Sequence, residues 1–218
     1  MLAYSVVDAF TASVFKGNPA VVIVTDAALS VNLMQSIASE FNLSETAFLV
    51  ERPGDNDESS IQYSIRWFTP SVEAPLCGHA SLASSFILFG QHPTKSSITF
   101  HSQVSGTLIA KRLPDGRIEL DFPAFPTKEI RKDSEEFKRI QKSINETVVD
   151  PSTVESAVES EGIEVSKLAR GLHGYVVEIA KAVNLAGLQV DALKLAQDAF
   201  VSLSHSLALF QALMCIFR

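Results

Sequence analysis

The densest chemistry in the chain lies in Leu76-Cys77-Gly78-His79-Ala80, where a thiol and an imidazole flank a glycine. A strand stops at Pro70, a short loop turns back, and Gly78 opens an almost wholly apolar segment. The first N–H groups of a helix have no partner inside it, and they sit at the positive end of its dipole. Such a terminus is an anion site, so the layout points to a small acid as ligand. His79, in the first turn, can donate a hydrogen bond to a bound carboxylate or relay a proton; it can equally be satisfied by local backbone. Cys77 reads either as a thiolate favoured by the dipole or as a small buried filler. Glu45 stands in Asn42-Leu43-Ser44-Glu45-Thr46, between the end of one element and the start of the next. A carboxylate partly desolvated there can exchange protons with carbon acids. Its alternative is a solvated loop glutamate.

These residues need a scaffold. Val6 to Phe10 and Ala20 to Thr25 are β-rich runs split by a turn at Lys16-Gly17-Asn18-Pro19, which is weak as a phosphate cradle because it lacks a glycine-rich repeat. Ser30 reads as an N-cap, and Leu33, Met34, Ile37, Ala38 and Phe41 recur at helical spacing, which predicts an amphipathic helix over Val31 to Phe41. Thr46 to Val50 is a short apolar strand, and Pro53 to Ser60 a polar loop. Ile61, Tyr63, Ile65 and Trp67 alternate with polar residues, as a strand with one buried face does. Gly78 to Phe89 is apolar or small on nearly every side, which predicts a central helix buried all round and wrapped by sheet. Thr107 to Arg112 and Arg117 to Phe122 form a hairpin across Pro114-Asp115-Gly116. Beyond Pro126 the pattern is looser. Ser134 to Ile144 reads as a surface helix, Val154 to Gly162 as an acidic solvated stretch, Tyr175 to Ile179 as a strand and Val190 to Gln197 as a helix.

Composition narrows the function classes. With 218 residues and 46% hydrophobic residues the chain can bury a sizeable core. A formal net charge of -7 and no basic run argue against a nucleic-acid partner, whose binding needs phosphate neutralisation. Cys77 and Cys215 lie far apart and suggest no disulfide framework, and the N-terminus lacks a signal-peptide pattern, so a cytoplasmic setting is expected. His79, His92, His101, His173 and His205 show no metal-ligand spacing with each other or with the cysteines. No nucleotide-binding glycine fingerprint and no G-x-S-x-G occur. A proton-transfer enzyme without cofactor or metal is what these readings leave.

Taken together, Asp8-Ala9-Phe10, Gly17-Asn18-Pro19-Ala20, Asn42-Leu43-Ser44-Glu45-Thr46-Ala47-Phe48, Arg66-Trp67-Phe68-Thr69-Pro70, Leu76-Cys77-Gly78-His79-Ala80 and Leu120-Asp121-Phe122-Pro123-Ala124 resemble the phenazine-biosynthesis PhzF-like isomerases, relatives of diaminopimelate epimerase. The resemblance implies an α/β (α+β) fold of two similar domains, each a curved sheet around a central helix, with the active site between them. It implies that Glu45 is the general acid/base for a proton shift on a small conjugated carboxylic acid. Gly78 and His79 would line the substrate site, joined by Asn18, Ser44 and, as a secondary residue, Cys77.

The family's second half carries an Asp-Pro-x-Thr-Gly-Ser motif that is not found here. The expectation is a complete first domain over residues 1–126 and an incomplete second one over 127–218, with a truncated or altered C-terminus that impairs activity. The apolar tail from Ala199 to Phe217 would cover part of the core as a helix; a membrane anchor is disfavoured by His205, Gln211 and several serines. Unpaired sheet edges would favour pairing with another chain, such as a homodimer. The competing reading is a non-catalytic binding or dimerisation module.

Overall fold

A computed structural model describes residues 2–53, 58–123, 126–149, 163–171, 174–179, 183, 188–191, 195, 201–204 and 216–217. The chain divides into two compact units, residues 1–123 with 213–218, and residues 124–212.

The first unit is built on β1 (Ser5–Ala9), β2 (Asn18–Thr25), α1 (Val31–Phe41), β3 (Glu45–Glu51), β4 (Ser60–Phe68), β5 (Glu73–Ala74), α2 (Gly78–Gln91), β6 (Ser97–Ser102), β7 (Gly106–Arg112) and β8 (Ile118–Asp121). Its main sheet runs β1-β2-β3-β4-β6-β7-β8, with β5 beside β4. Two junctions are parallel, β2 with β3 and β4 with β6. Parallel neighbours need a crossover, and α1 and α2 supply the two.

Side-chain parity assigns a helix to each face of the sheet. Ala47, Leu49, Ile61, Tyr63, Ile65 and Trp67 share a core with Ala80, Leu82, Ala83 and Leu88 of α2. Phe48 and Phe68 turn the other way and pack with Met34 and Ala38 of α1. α2 touches β1, β2 and β3 as well as β7 and β8. Those strands lie toward opposite ends of the sheet, about 29 Å apart were it flat. The sheet is therefore curled around α2 as a half-barrel. Tyr63, Trp67, Phe100, Leu88 and Leu108 are fully buried inside. Each such side chain contributes about 1.5–3 kcal/mol of burial.

α1 begins and ends as its sequence dictates. Ser30 Oγ accepts the Leu33 N–H at 3.3 Å. Asn42 closes the helix in the left-handed region, φ 51, with its N–H on the Ala38 carbonyl. Leu33 lies off the buried stripe, half exposed, contrary to its place in the predicted face. α2 also departs from expectation: it is not buried all round, since Phe86 is 62% exposed. The curl leaves one sector of the helix uncovered. On the buried side, Ser81, Ser84 and Ser85 return their hydroxyls to the carbonyls of Cys77, Ala80 and Ser81. These polar groups are satisfied locally, so the helix buries them without orphaned donors.

In the second unit, β9 (Lys128–Ile130), α3 (Glu135–Thr147), β10 (Val148–Val149), β11 (Val165–Arg170), β12 (Tyr175–Ile179), β13 (Gln189–Val190) and β14 (Val201–Ser204) follow. They make a four-stranded sheet, β14-β12-β11-β9, and a β10-β13 pair. This is more strand than the sequence pattern suggested. α3 is a surface helix with one buried stripe: Phe137, Ile140 and Ile144 enter a core with Val165, Leu168, Val177 and Ile179. Gln189–Val190 is strand, so the helix expected over Val190 to Gln197 does not begin at Val190; within that range Leu195 is helical, its N–H on the Asp191 carbonyl at 2.9 Å. The tail shows strand rather than helix where it is described, in β14 and in β15 (Ile216–Phe217), which pairs antiparallel with β8. The acidic stretch Val154 to Gly162, His173, His205 and Cys215 lie outside the described residues. Among the described residues no helix is long and apolar enough to cross a membrane.

Candidate active site

Three chain segments converge on the His79 imidazole. The first is the start of β3. The left-handed turn at Asn42 ends α1 and delivers Ser44 and Glu45 to the edge of the curl. Glu45 lies opposite Ala20 in the parallel β2–β3 register, with its odd-numbered neighbours Ala47 and Leu49 on the α2 side. The second is the start of α2, where Cys77 is the N-cap residue and His79 sits in the first turn. The third is the end of the β1–β2 ladder, with Phe10 just after β1 and Pro19 at the start of β2.

The distances are short. Glu45 Oε2 lies 3.4 Å from His79 Nε2. Ser44 Oγ lies 3.1 Å from the same nitrogen. Cys77 Sγ lies 3.3 Å from His79 Nδ1. Phe10 holds its ring centroid 6.5 Å from the imidazole, with its backbone in the left-handed region at φ 66. Cys77 and His79 are buried, while the Glu45 side chain keeps 19% of its surface exposed.

Electrostatics follow from this burial. Desolvation pushes the His79 pKa below its ordinary value, against the opposing pull of the Glu45 carboxylate and the Pro19 backbone. The ring is neutral at neutral pH. Burial first, then the Glu45 charge, pushes the Cys77 thiol up to about 12. The N–H groups of Ala80 and His79 draw it down only in part, and the sulfur closes no capping hydrogen bond. The dipole therefore does not make Cys77 a thiolate, which corrects that alternative. One tautomer satisfies the set: the Cys77 S–H donates to Nδ1, and Nε2–H faces Ser44 and Glu45. This assignment comes from the hydrogen-bond network.

Of the residues singled out by sequence, Glu45, Ser44, Cys77 and His79 are thus gathered, with Gly78 between the last two at the helix start. Asn18 is exposed at the first position of β2, two residues before the partner of Glu45. Phe10 and Pro19 were not singled out as site residues, although both stand in the quoted motifs. The sequence spacing offered no metal-ligand set, yet one donor atom from each of Glu45, Cys77 and His79 lies within 4.8 Å of the other two. Gly17 is fixed by contact: a Cβ there would meet the Ala9 carbonyl oxygen at 2.3 Å. A separate cavity of about 270 Å³, lined by Met34, Phe48, Arg52, Arg66 and His101 among others, opens on the α1 side of the sheet.

Comparison with known proteins shows what the chain as a whole is similar to. A phenazine biosynthesis-like domain-containing protein of Mus musculus is 49% identical over 124 residues, which are 56% of this chain and 42% of that protein. An uncharacterized isomerase of Pseudomonas aeruginosa is 49% identical over 123 residues, 56% of this chain and 44% of that one. The chain thus covers less than half the length of these curated relatives. The crystal structure of a PhzF-family phenazine biosynthesis protein of Enterococcus faecalis superposes with a TM-score of 0.65 at 31% identity, covering 88% of this chain and 63% of that one. The likeness carries the mixed α/β, epimerase-like fold with its curled half-barrel sheet. The phenazine biosynthesis-like protein family, PhzC-PhzF, matches residues 7–211, and the chain belongs to it.

Proposed function

We propose that this chain bears the proton-transfer centre of a PhzF-like isomerase acting, without a cofactor, on a small conjugated carboxylic acid. The observation that carries this reading is the Glu45 carboxylate 3.4 Å from the Nε2 of a buried imidazole in the first turn of α2. Glu45 takes a proton from a carbon next to the conjugated acid and returns it to another carbon. The N-terminal amides around Gly78 and His79 hold the substrate carboxylate. His79, neutral and donating from Nε2, steadies charge that builds on the substrate while Glu45 is protonated. Ser44 keeps the ring in its plane of action. The isomerase name of the bacterial relative supports the reaction class.

Deuterium uptake tests this. The purified chain is incubated in heavy water with a panel of conjugated amino and hydroxy acids, and label at carbon is followed by NMR. Uptake by the parent and its loss in a folded Glu45→Gln variant are expected. Uptake that survives Glu45→Gln assigns the base elsewhere and overturns the reading.

A further inference from the structure

We propose that Glu45, Cys77 and His79 together form a binding site for a thiophilic divalent cation, with Zn²⁺ as its representative. The donor set carries the first part of the argument. One sulfur, one imidazole nitrogen and one carboxylate oxygen suit zinc, whereas magnesium and calcium require oxygen shells. The geometry carries the second. With metal–ligand bonds of about 2.0–2.3 Å, donors around one tetrahedral ion stand about 3.4–3.6 Å apart. Cys77 Sγ and His79 Nδ1 are already at 3.3 Å. One donor from each of the three residues lies within 4.8 Å of the other two. Glu45 is the most exposed of the three and the freest to swing toward the sulfur, on which its carboxylate already acts.

The surroundings complete the site. When Nδ1 is the ligand, Nε2–H keeps its hydrogen bond to Ser44 Oγ at 3.1 Å. That is the outer-shell contact that orients a metal-bound histidine. Three protein ligands leave a fourth position for water. The step balances simply: the Cys77 S–H bond breaks, a sulfur–zinc bond forms, and one proton goes to solvent. No electron is transferred. The ion takes up the Glu45 carboxylate and the His79 lone pair, so a bound cation blocks proton transfer. That consequence rests on the isomerase reading, but binding itself does not.

The test uses the full 218-residue chain after chelator treatment, in a Cys215→Ser background that leaves Cys77 as the single thiol. Co²⁺ is titrated in, read by its thiolate charge-transfer absorption, and then displaced with Zn²⁺. One equivalent, one proton released per Zn²⁺, and loss of the band in Cys77→Ser are expected. Cys77→Ser should weaken Zn²⁺ by at least about tenfold. X-ray absorption at the zinc edge needs no change at Cys77, and should find one sulfur at about 2.3 Å among nitrogen and oxygen ligands. No band at millimolar Co²⁺, full-strength binding in Cys77→Ser, or a sulfur-free zinc shell overturns the proposal. A chain that binds Co²⁺ but exchanges no deuterium sinks the isomerase reading alone. One that exchanges deuterium and binds no Co²⁺ sinks this proposal alone.

Discussion

Replacing Gly17 by alanine should destabilise the first unit and loosen the His79 wall, through one methyl group. A Cβ at position 17 meets the Ala9 carbonyl oxygen at 2.3 Å, Thr11 Cγ2 at 2.6 Å and Asp8 Cβ at 3.0 Å. Ordinary contact begins near 3.4 Å, so the backbone oxygen is about 1.1 Å too close. A threonine methyl can rotate away, but a backbone carbonyl paired in a strand cannot. Ala9 and Asn18 are register partners in the β1–β2 ladder, so relief requires the end of that ladder to part. Overpacking of this kind costs about 1–3 kcal/mol, and the rigid partner places Gly17→Ala near the top of that range. For a unit of this size that lowers Tm by about 8–15 °C. Gly90→Ala is the control with the opposite sign. It lies inside α2 with nothing within 4 Å of its built Cβ, so alanine gains helix propensity of about 0.5–1 kcal/mol. Thermal melts followed by circular dichroism on the two variants and the parent decide the matter. Gly17→Ala melting within about 2 °C of the parent, or Gly90→Ala falling as far as Gly17→Ala, would refute the steric argument.

Two further outcomes follow from burial at the same centre. Because desolvation holds His79 below its ordinary 6.5, the unfolded chain takes up a proton first as pH falls. The stability tied to the neutral ring is therefore whole above about pH 6.5 and is lost as pH falls toward the folded value. His101, depressed first by burial and then by Arg52, acts in the same direction. His79→Gln should flatten the fall of the urea midpoint below neutral pH, and an unchanged slope would count against a buried neutral ring. Cys77, with its thiol pushed up to about 12, should resist iodoacetamide at pH 8 in the folded chain and react in urea, as mapped by peptide mass spectrometry. Rapid native alkylation at Cys77 would contradict that shift.

Local signals account for what the sequence disclosed. Ser30 and the helical spacing after it set the bounds of α1, and the alternation from Ile61 to Trp67 set the inner face of β4. β6 carries the same alternation, with Ile98 and Phe100 buried, but its six residues include two serines and a histidine, so the period is weak in the sequence. α3 reads as a surface helix because its charges outnumber its apolar residues, and Phe137, Ile140 and Ile144 fall on the one stripe that closes a core. At the site, the family motifs implied that Glu45 and His79 share one cleft, but the direct contact between them was not legible. Glu45 and His79 lie 34 positions apart, and their meeting depends on the curl that carries β3 against the start of α2. The thiol's protonation was equally hidden, since the dipole argues for ionisation and only the degree of burial reverses it.

The place of α2 in the topology sets a schedule for synthesis. The helix is complete at Gln91, but strands β6, β7 and β8, which close the sheet around it, end only at Asp121. Its first turn has no acidic residue and its last no basic one, so it emerges as an uncharged, apolar stretch. Thirty residues remain to be made, about 2–6 s of translation at ordinary rates. For that interval, the segment that will anchor His79 has only β1 to β5 to shelter it. The nascent chain is most in need of a chaperone then, after the site's residues have all been made and before the wall that buries them exists.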